Sequence, residues 1–261
     1  GFGLGIAGAA MATVISQVVV FIVFIFMLFF KNHSYISFNL SDFTFSTDII
    51  WDIIKVGLPA SLSMIVMAVG QGVFNKILVH ISVNTVAAYQ VAGRLDMLVF
   101  LPIFSIAASL TTLVGMFYGA KEYGALRYII KYGIFSALLI TIISSTIVYT
   151  FAGHVVRFFT DDASIVIIAV NFLQIFAFAY PFISVGITTG RVLQGLGKGL
   201  PVLIITIVRV LGVSAPLALF FVFIMDKTVE WVWYSMMLST IVAFGIGPVS
   251  YTHLRAHETT P

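Results

Sequence analysis

Cysteine is absent from all 261 residues, which excludes disulfides, thiolate metal sites and a cysteine nucleophile. Charge is nearly absent as well. Asp, Glu, Lys and Arg make up 9% of the chain, against about 25% in an ordinary soluble domain. The net charge of +3 comes without any run of Lys or Arg, so a nucleic-acid surface is excluded and no nucleic-acid partner is expected. Catalytic motifs are also missing. Outside the last fourteen residues the histidines (His33, His80 and His154) stand singly near the ends of apolar segments. No HExxH, GxSxG or phosphate-binding loop accompanies them, so neither an enzyme nor a cofactor or metal site is expected.

What remains is apolar: 61% of the residues, with 25 phenylalanines. Seven apolar segments can be placed, at about 2–30, 50–80, 85–118, 126–152, 163–188, 200–225 and 229–247. All but the last have the roughly 20 residues that cross a ~30 Å hydrocarbon core comfortably. Lipid offers no partner to an open strand edge, so all seven are expected to be helices. The predicted fold class is therefore an all-α polytopic membrane protein, held in a lipid bilayer. Pro59, Pro102, Pro181 and Pro216 fall within these segments and are expected to break their helices. Gly5, Ala9 and Thr13 form a small-residue stripe on the first segment, read either as a close helix approach or as plain bundle packing.

The longest polar connection, 31–49, suggests a boundary between two helix bundles, with Trp51 as an interfacial anchor. This divides the chain into a first helix at 1–30, a linker at 31–49 and a six-helix bundle at 50–247. Residues 248–261, PVSYTHLRAHETTP, read like a translated sequencing adapter and are expected to be non-native. The chain begins at Gly1 already in apolar stride, so the natural protein is expected to be longer at both ends. When the connections are alternated across the membrane, Lys31, Lys55, Lys121, Arg127, Lys131, Arg191 and Lys198 fall on one side; Lys76, Arg157 and Lys227 fall on the other. The richer side is expected to be cytoplasmic, and the linker with it.

A few polar groups stand inside the spans. Asp96 lies about 11 residues into its segment, roughly 16 Å deep, and Arg209 about 9 residues into one that runs the other way. An ionised side chain at that depth costs on the order of 2.5–3.5 kcal/mol, so each should face protein or water. Arg94 is two residues from Asp96 and cannot meet it on one helix. Asp96 then reads either as a protonatable or cation-binding group in a substrate cavity, with Ala92 and Gly93 leaving room, or as half of a fixed ion pair with Arg94, Arg209 or a loop. Arg209 reads as a structural charge. Met64, Met67, Gln71 and Asn75 recur on one helical face. That face suits either varied amphiphilic ligands or packing against another helix. Asn171, Gln174 and Tyr180 give a later span a similar polar edge.

At this point the residues suggest a family. GLPASL at Gly57–Leu62, NTVAAYQVAGRLDMLVFLP at Asn84–Pro102, VGMFYGAKEYG at Val114–Gly124 and RVLQGLGKGLPVLIITIVR at Arg191–Arg209 resemble the C-terminal lobe of a prokaryotic multidrug and toxic compound extrusion (MATE) transporter. GLGIAGAAMATVISQ at Gly3–Gln17 resembles that family's sixth span. The resemblance implies the last helix of an N-terminal lobe followed by a six-helix C-terminal lobe, with the rest of the N-terminal lobe missing from this chain. It further implies a secondary antiporter in the plasma (inner) membrane of a prokaryote. Such a protein exports drugs or toxic organic cations in exchange for H+ or Na+ by alternating access. Two positions depart from the pattern: Met67 stands where several relatives carry an acid in the seventh span, and 170–188 holds no acid where some carry an aspartate in the tenth. Asp96 falls near a glutamate of the eighth span in eukaryotic relatives and is the one acid carried over. The alternative, a lipid-linked oligosaccharide flippase of the same broad superfamily, calls for a more cationic cavity able to meet pyrophosphate. Only Arg94 and Arg209 are available for that role.

Overall fold

The structure, a computed structural model, describes residues 5–30 and 45–258. Linker residues 31–44 and tail residues 259–261 lie outside the described residues. The chain divides into two units, one ending at Thr47 and one beginning at Asp48. In the first, helix α1 (Gly5–Phe30) carries no charged residue, and its described side chains are almost all exposed. Six helices follow, all but the first residue of α2 within the second unit: α2 (Thr47–Ile81), α3 (Val83–Gly119), α4 (Tyr123–Arg157), α5 (Ala163–Gly195), α6 (Leu200–Ile224) and α7 (Val229–Glu258). The helices α1 to α6 are long and apolar enough to cross a membrane. No strand occurs among the described residues.

The helices outrun the expected segments where the hydrogen-bond ladder continues into polar sequence. α4 continues through Arg157 and α5 through Arg191 and Gln194, so the connections at 153–163 and 190–199 shrink to 158–162 and 196–199. Backbone and side-chain caps set these ends. Ser82 accepts from the Thr85 N–H at the start of α3 (3.1 Å). Gly197, at φ +77°, turns the chain out of α5 while the Lys198 N–H reaches back to the Leu193 carbonyl at 2.8 Å; this left-handed turn is glycine's ordinary place at a helix end.

Asp162 caps α5. Its Oδ1 accepts from the Ser164 hydroxyl (2.7 Å), the Ser164 N–H (2.8 Å) and the Ile165 N–H (3.4 Å). The Ser164 hydroxyl bond, with the two backbone bonds behind it, holds this loop carboxyl below its ordinary value. A depressed acid contributes stability that is present above its unfolded value, about 3.9, and is lost as pH falls through the lower folded value. The melting-temperature difference between the native chain and Asp162→Ala is therefore expected to be full at pH 7 and to shrink steadily below about pH 4. A difference independent of pH would remove the carboxylate from the cap.

The four prolines do not break their helices. α2, α3 and α5 run unbroken through Pro59, Pro102 and Pro181. α6 passes Pro216 with wide π turns on either side, at Val208–Ser214 and Phe220–Ile224; in the first, the Ala215 N–H reaches five residues back to Val210. A span in lipid keeps its helix because freed backbone groups find other donors. For Pro181 the donor is visible. A proline at 181 leaves the Ala177 carbonyl without its helical N–H, and the buried Ser145 hydroxyl of α4 donates to that oxygen.

The core runs in layers along α3, α4 and α5. One layer packs Ala92, Leu95, Val156 and Phe172 with Phe74 of α2 and Trp233 of α7. The next holds Val99, Phe100, Ile103, Ala137 and Tyr180, and the last Leu110, Val114, Leu126, Ile130 and Val192. Close contact between α3 and α5 depends on Gly195, where a Cβ would lie 2.7 Å from the Thr111 carbonyl oxygen. The Thr111 hydroxyl also donates to the Arg191 carbonyl across the same crossing (3.3 Å).

Candidate functional site

The midspan acid sits at the middle layer. Tyr89, Asp96 and Phe100 follow one another at helical spacing along the inward edge of α3. Asp96 is half-buried and accepts a hydrogen bond from the hydroxyl of fully buried Tyr180 on α5. The Tyr180 ring meets Phe100 edge-on, with centroids 5.3 Å apart. Phe176, one turn earlier on α5, stacks on Phe172 (4.2 Å), Phe172 meets Trp233 edge-on (4.8 Å), and Tyr89 stacks on Trp233 (5.8 Å). An aromatic ladder drawn from three helices thus ends at one carboxylate.

Asp96 and Arg209 do not pair. Among the described residues neither enters an ion pair, and Arg209 lies half-buried in the first π turn of α6. Arg94 is exposed. The partner that Asp96 takes from another span is a phenol.

The structure distributes the remaining candidate residues over two other places. On α2, Met64 and Met67 are 72% and 53% exposed and Gln71 is exposed too, so that stretch of the face is not buried between helices of this unit. Asn75 is half-buried and accepts from Gln90 of α3 at 3.4 Å. On α5, Asn171 and Gln174 line an open depression of about 400 Å³ together with Gly153 and Arg157 of α4. Asp96 and Tyr180 are not among its lining residues. Asn171 also donates to Glu230 Oε1 of α7 at 3.2 Å. Sequence reasoning missed Glu230, which stands at the very start of the 229–247 segment; in the structure it lies in the first turn of α7. Among the described residues no three His, Cys, Asp or Glu side chains gather to hold a metal ion.

The order of these elements can be set against known proteins. The MatE family model matches residues 59–220, well over half of the chain. The chain belongs to the MATE family. Among curated relatives it is similar to the probable multidrug resistance protein NorM of Thermotoga maritima, with 26% identity over 238 residues, covering 91% of this chain and 51% of the relative. It is also similar to the multidrug export protein MepA of Staphylococcus aureus, 30% identical over 199 residues, 76% of this chain and 44% of the relative. A crystal structure of a MATE protein in complex with MaL6 superposes with a TM-score of 0.90 at 30% identity, over 99% of this chain and 58% of that one. The chain thus spans about half the length of the curated MATE relatives it matches.

Proposed function

We propose that this MATE chain is the sixth-span helix and C-terminal lobe of a secondary antiporter that exports cationic or amphiphilic small molecules in exchange for H+ or Na+. The observation that carries the reading is Asp96: an acid inside a span, held by the Tyr180 hydroxyl rather than by a cation. A carboxylate placed there keeps the ability to exchange a proton or meet a cation, which a salt bridge would take from it. The exposed stretch of α2 bearing Met64, Met67 and Gln71 is the surface assigned to amphiphilic ligands and to the opposing lobe; methionines adapt to varied shapes and the amide fixes orientation. The assigned orientation puts the linker and the seven-cation side in the cytoplasm of a prokaryotic cell.

The test is transport by the complete protein in proteoliposomes. A fluorescent organic cation is expected to move only while an H+ or Na+ gradient is imposed, and to stop when both are collapsed. Movement independent of either gradient would remove the antiport reading. Gradient-independent flipping of a lipid-linked saccharide in place of cation transport would favour the flippase.

A further inference from the structure

The only two buried side-chain polar atoms without a hydrogen bond among the described residues are Glu230 Oε2 and Trp233 Nε1. They belong to residues three apart on α7, so the two side chains rise from one face of the helix. Trp233 is fully buried, and its ring is fixed by Tyr89 and Phe172. The other Glu230 oxygen is already taken by Asn171.

The chemistry of the pair is selective. A carboxylate oxygen needs a donor or a cation, and an indole N–H needs an acceptor. A bare metal cation would leave the indole unanswered, and an anion would leave the carboxylate. One occupant that both accepts and donates answers both, and the smallest is water, which internal sites of this kind hold when two or more polar partners converge.

We propose that Glu230 and Trp233 form a binding site for a buried water, beside Asn171. Asn171 belongs to both places: it is among the residues lining the α4–α5 depression, and its amide donates to Glu230 Oε1. The site hydrates the first core layer at α7, beside the Tyr89 and Phe172 rings, while Asp96 lies at the middle layer. It does not depend on the antiport reading and stands or falls separately from it.

Hydroxyl-radical footprinting of the full-length protein in lipid nanodiscs, started by an X-ray pulse in oxygen-18 water, tests this, because radicals born on a bound water label the residues that hold it. Trp233, 0% exposed, is expected to be oxidised within about tenfold of the rate of Trp51, 66% exposed. Glu230→Leu removes the acceptor, and Trp233 labelling should drop at least about fivefold while Trp51 is unchanged; Glu230→Gln keeps an oxygen and should keep the labelling. Background labelling of Trp233 in the native protein overturns the proposal. So does labelling that persists or rises in Glu230→Leu, which would indicate local opening instead of a bound water. If Glu230→Leu fails to fold, Glu230→Met, similar in length and without the carboxyl oxygens, takes its place with the same expected drop and the same overturning result.

Discussion

Asp96→Asn is expected to reduce gradient-driven export by the complete transporter at least about tenfold, a loss of coupling equivalent to some 1.4 kcal/mol or more, while insertion and thermal stability change little. The reason lies in what asparagine keeps. Its side-chain oxygen still accepts from the Tyr180 hydroxyl, so the α3–α5 contact and the edge-on packing of Tyr180 on Phe100 survive. What disappears is the negative charge and the capacity to take up and release a proton. Tyr180→Phe makes the complementary change. It leaves the ring in the core and removes the donor, so Asp96 loses its partner but not its charge. A smaller, partial loss of export is expected from this variant, measured as initial rates in everted vesicles. Native rates in Asp96→Asn would make the acid structural and move ion coupling elsewhere.

The seven helices were legible because membrane spans carry the strongest pattern a sequence has: long apolar stretches cut by short polar turns. Even so, Arg157, Arg191 and Gln194 were assigned to loops and proved helical, since backbone pairing continues past the apolar stretch wherever side chains can reach the interface. Depth along a helix gave Asp96 as a candidate. Its partner could not be read, because Arg209 and Tyr180 both lie at compatible heights and only lateral packing decides between them. The small residues on both sides of the α3–α5 crossing, Gly115 and Gly195, bring α5 close to α3. Arg209 lies at the start of something no period-3.6 pattern encodes, a stretch of π turns in α6.

Glu230 shows the opposite failure. An acid at the start of an apolar segment is what any helix N-terminus favours, so nothing in its local sequence sets it apart. Its meaning comes from Asn171, fifty-nine residues away, and from the buried indole one turn on. Glycines told the packing only after the fold was known. A Cβ at Gly195 would meet the Thr111 carbonyl oxygen at 2.7 Å, whereas one at Gly153 would meet nothing within 4 Å.

Ser145→Ala is expected to destabilise the lobe by about 1–2 kcal/mol, the usual cost of stranding a buried acceptor and near the upper end found for single polar contacts between membrane helices. The Ala177 carbonyl it would strand is the one that Pro181 has already deprived of its helical donor. The two residues should therefore be coupled. In a Pro181→Ala background the residue-181 N–H is restored and can bond Ala177 along the helix, so removing the Ser145 hydroxyl should cost well under half as much. Reversible unfolding in mixed micelles of the four proteins in this cycle gives the coupling directly. Equal costs in both backgrounds would show that Ser145 serves something other than the proline. The consequence reaches the candidate site because Tyr180 is the residue immediately before Pro181. A helix that keeps its course through the proline, with its free carbonyl held from α4, keeps the phenol aimed at Asp96. Ser145→Ala should then lower export as well as stability, and restoring the helical bond through Pro181→Ala should recover part of both.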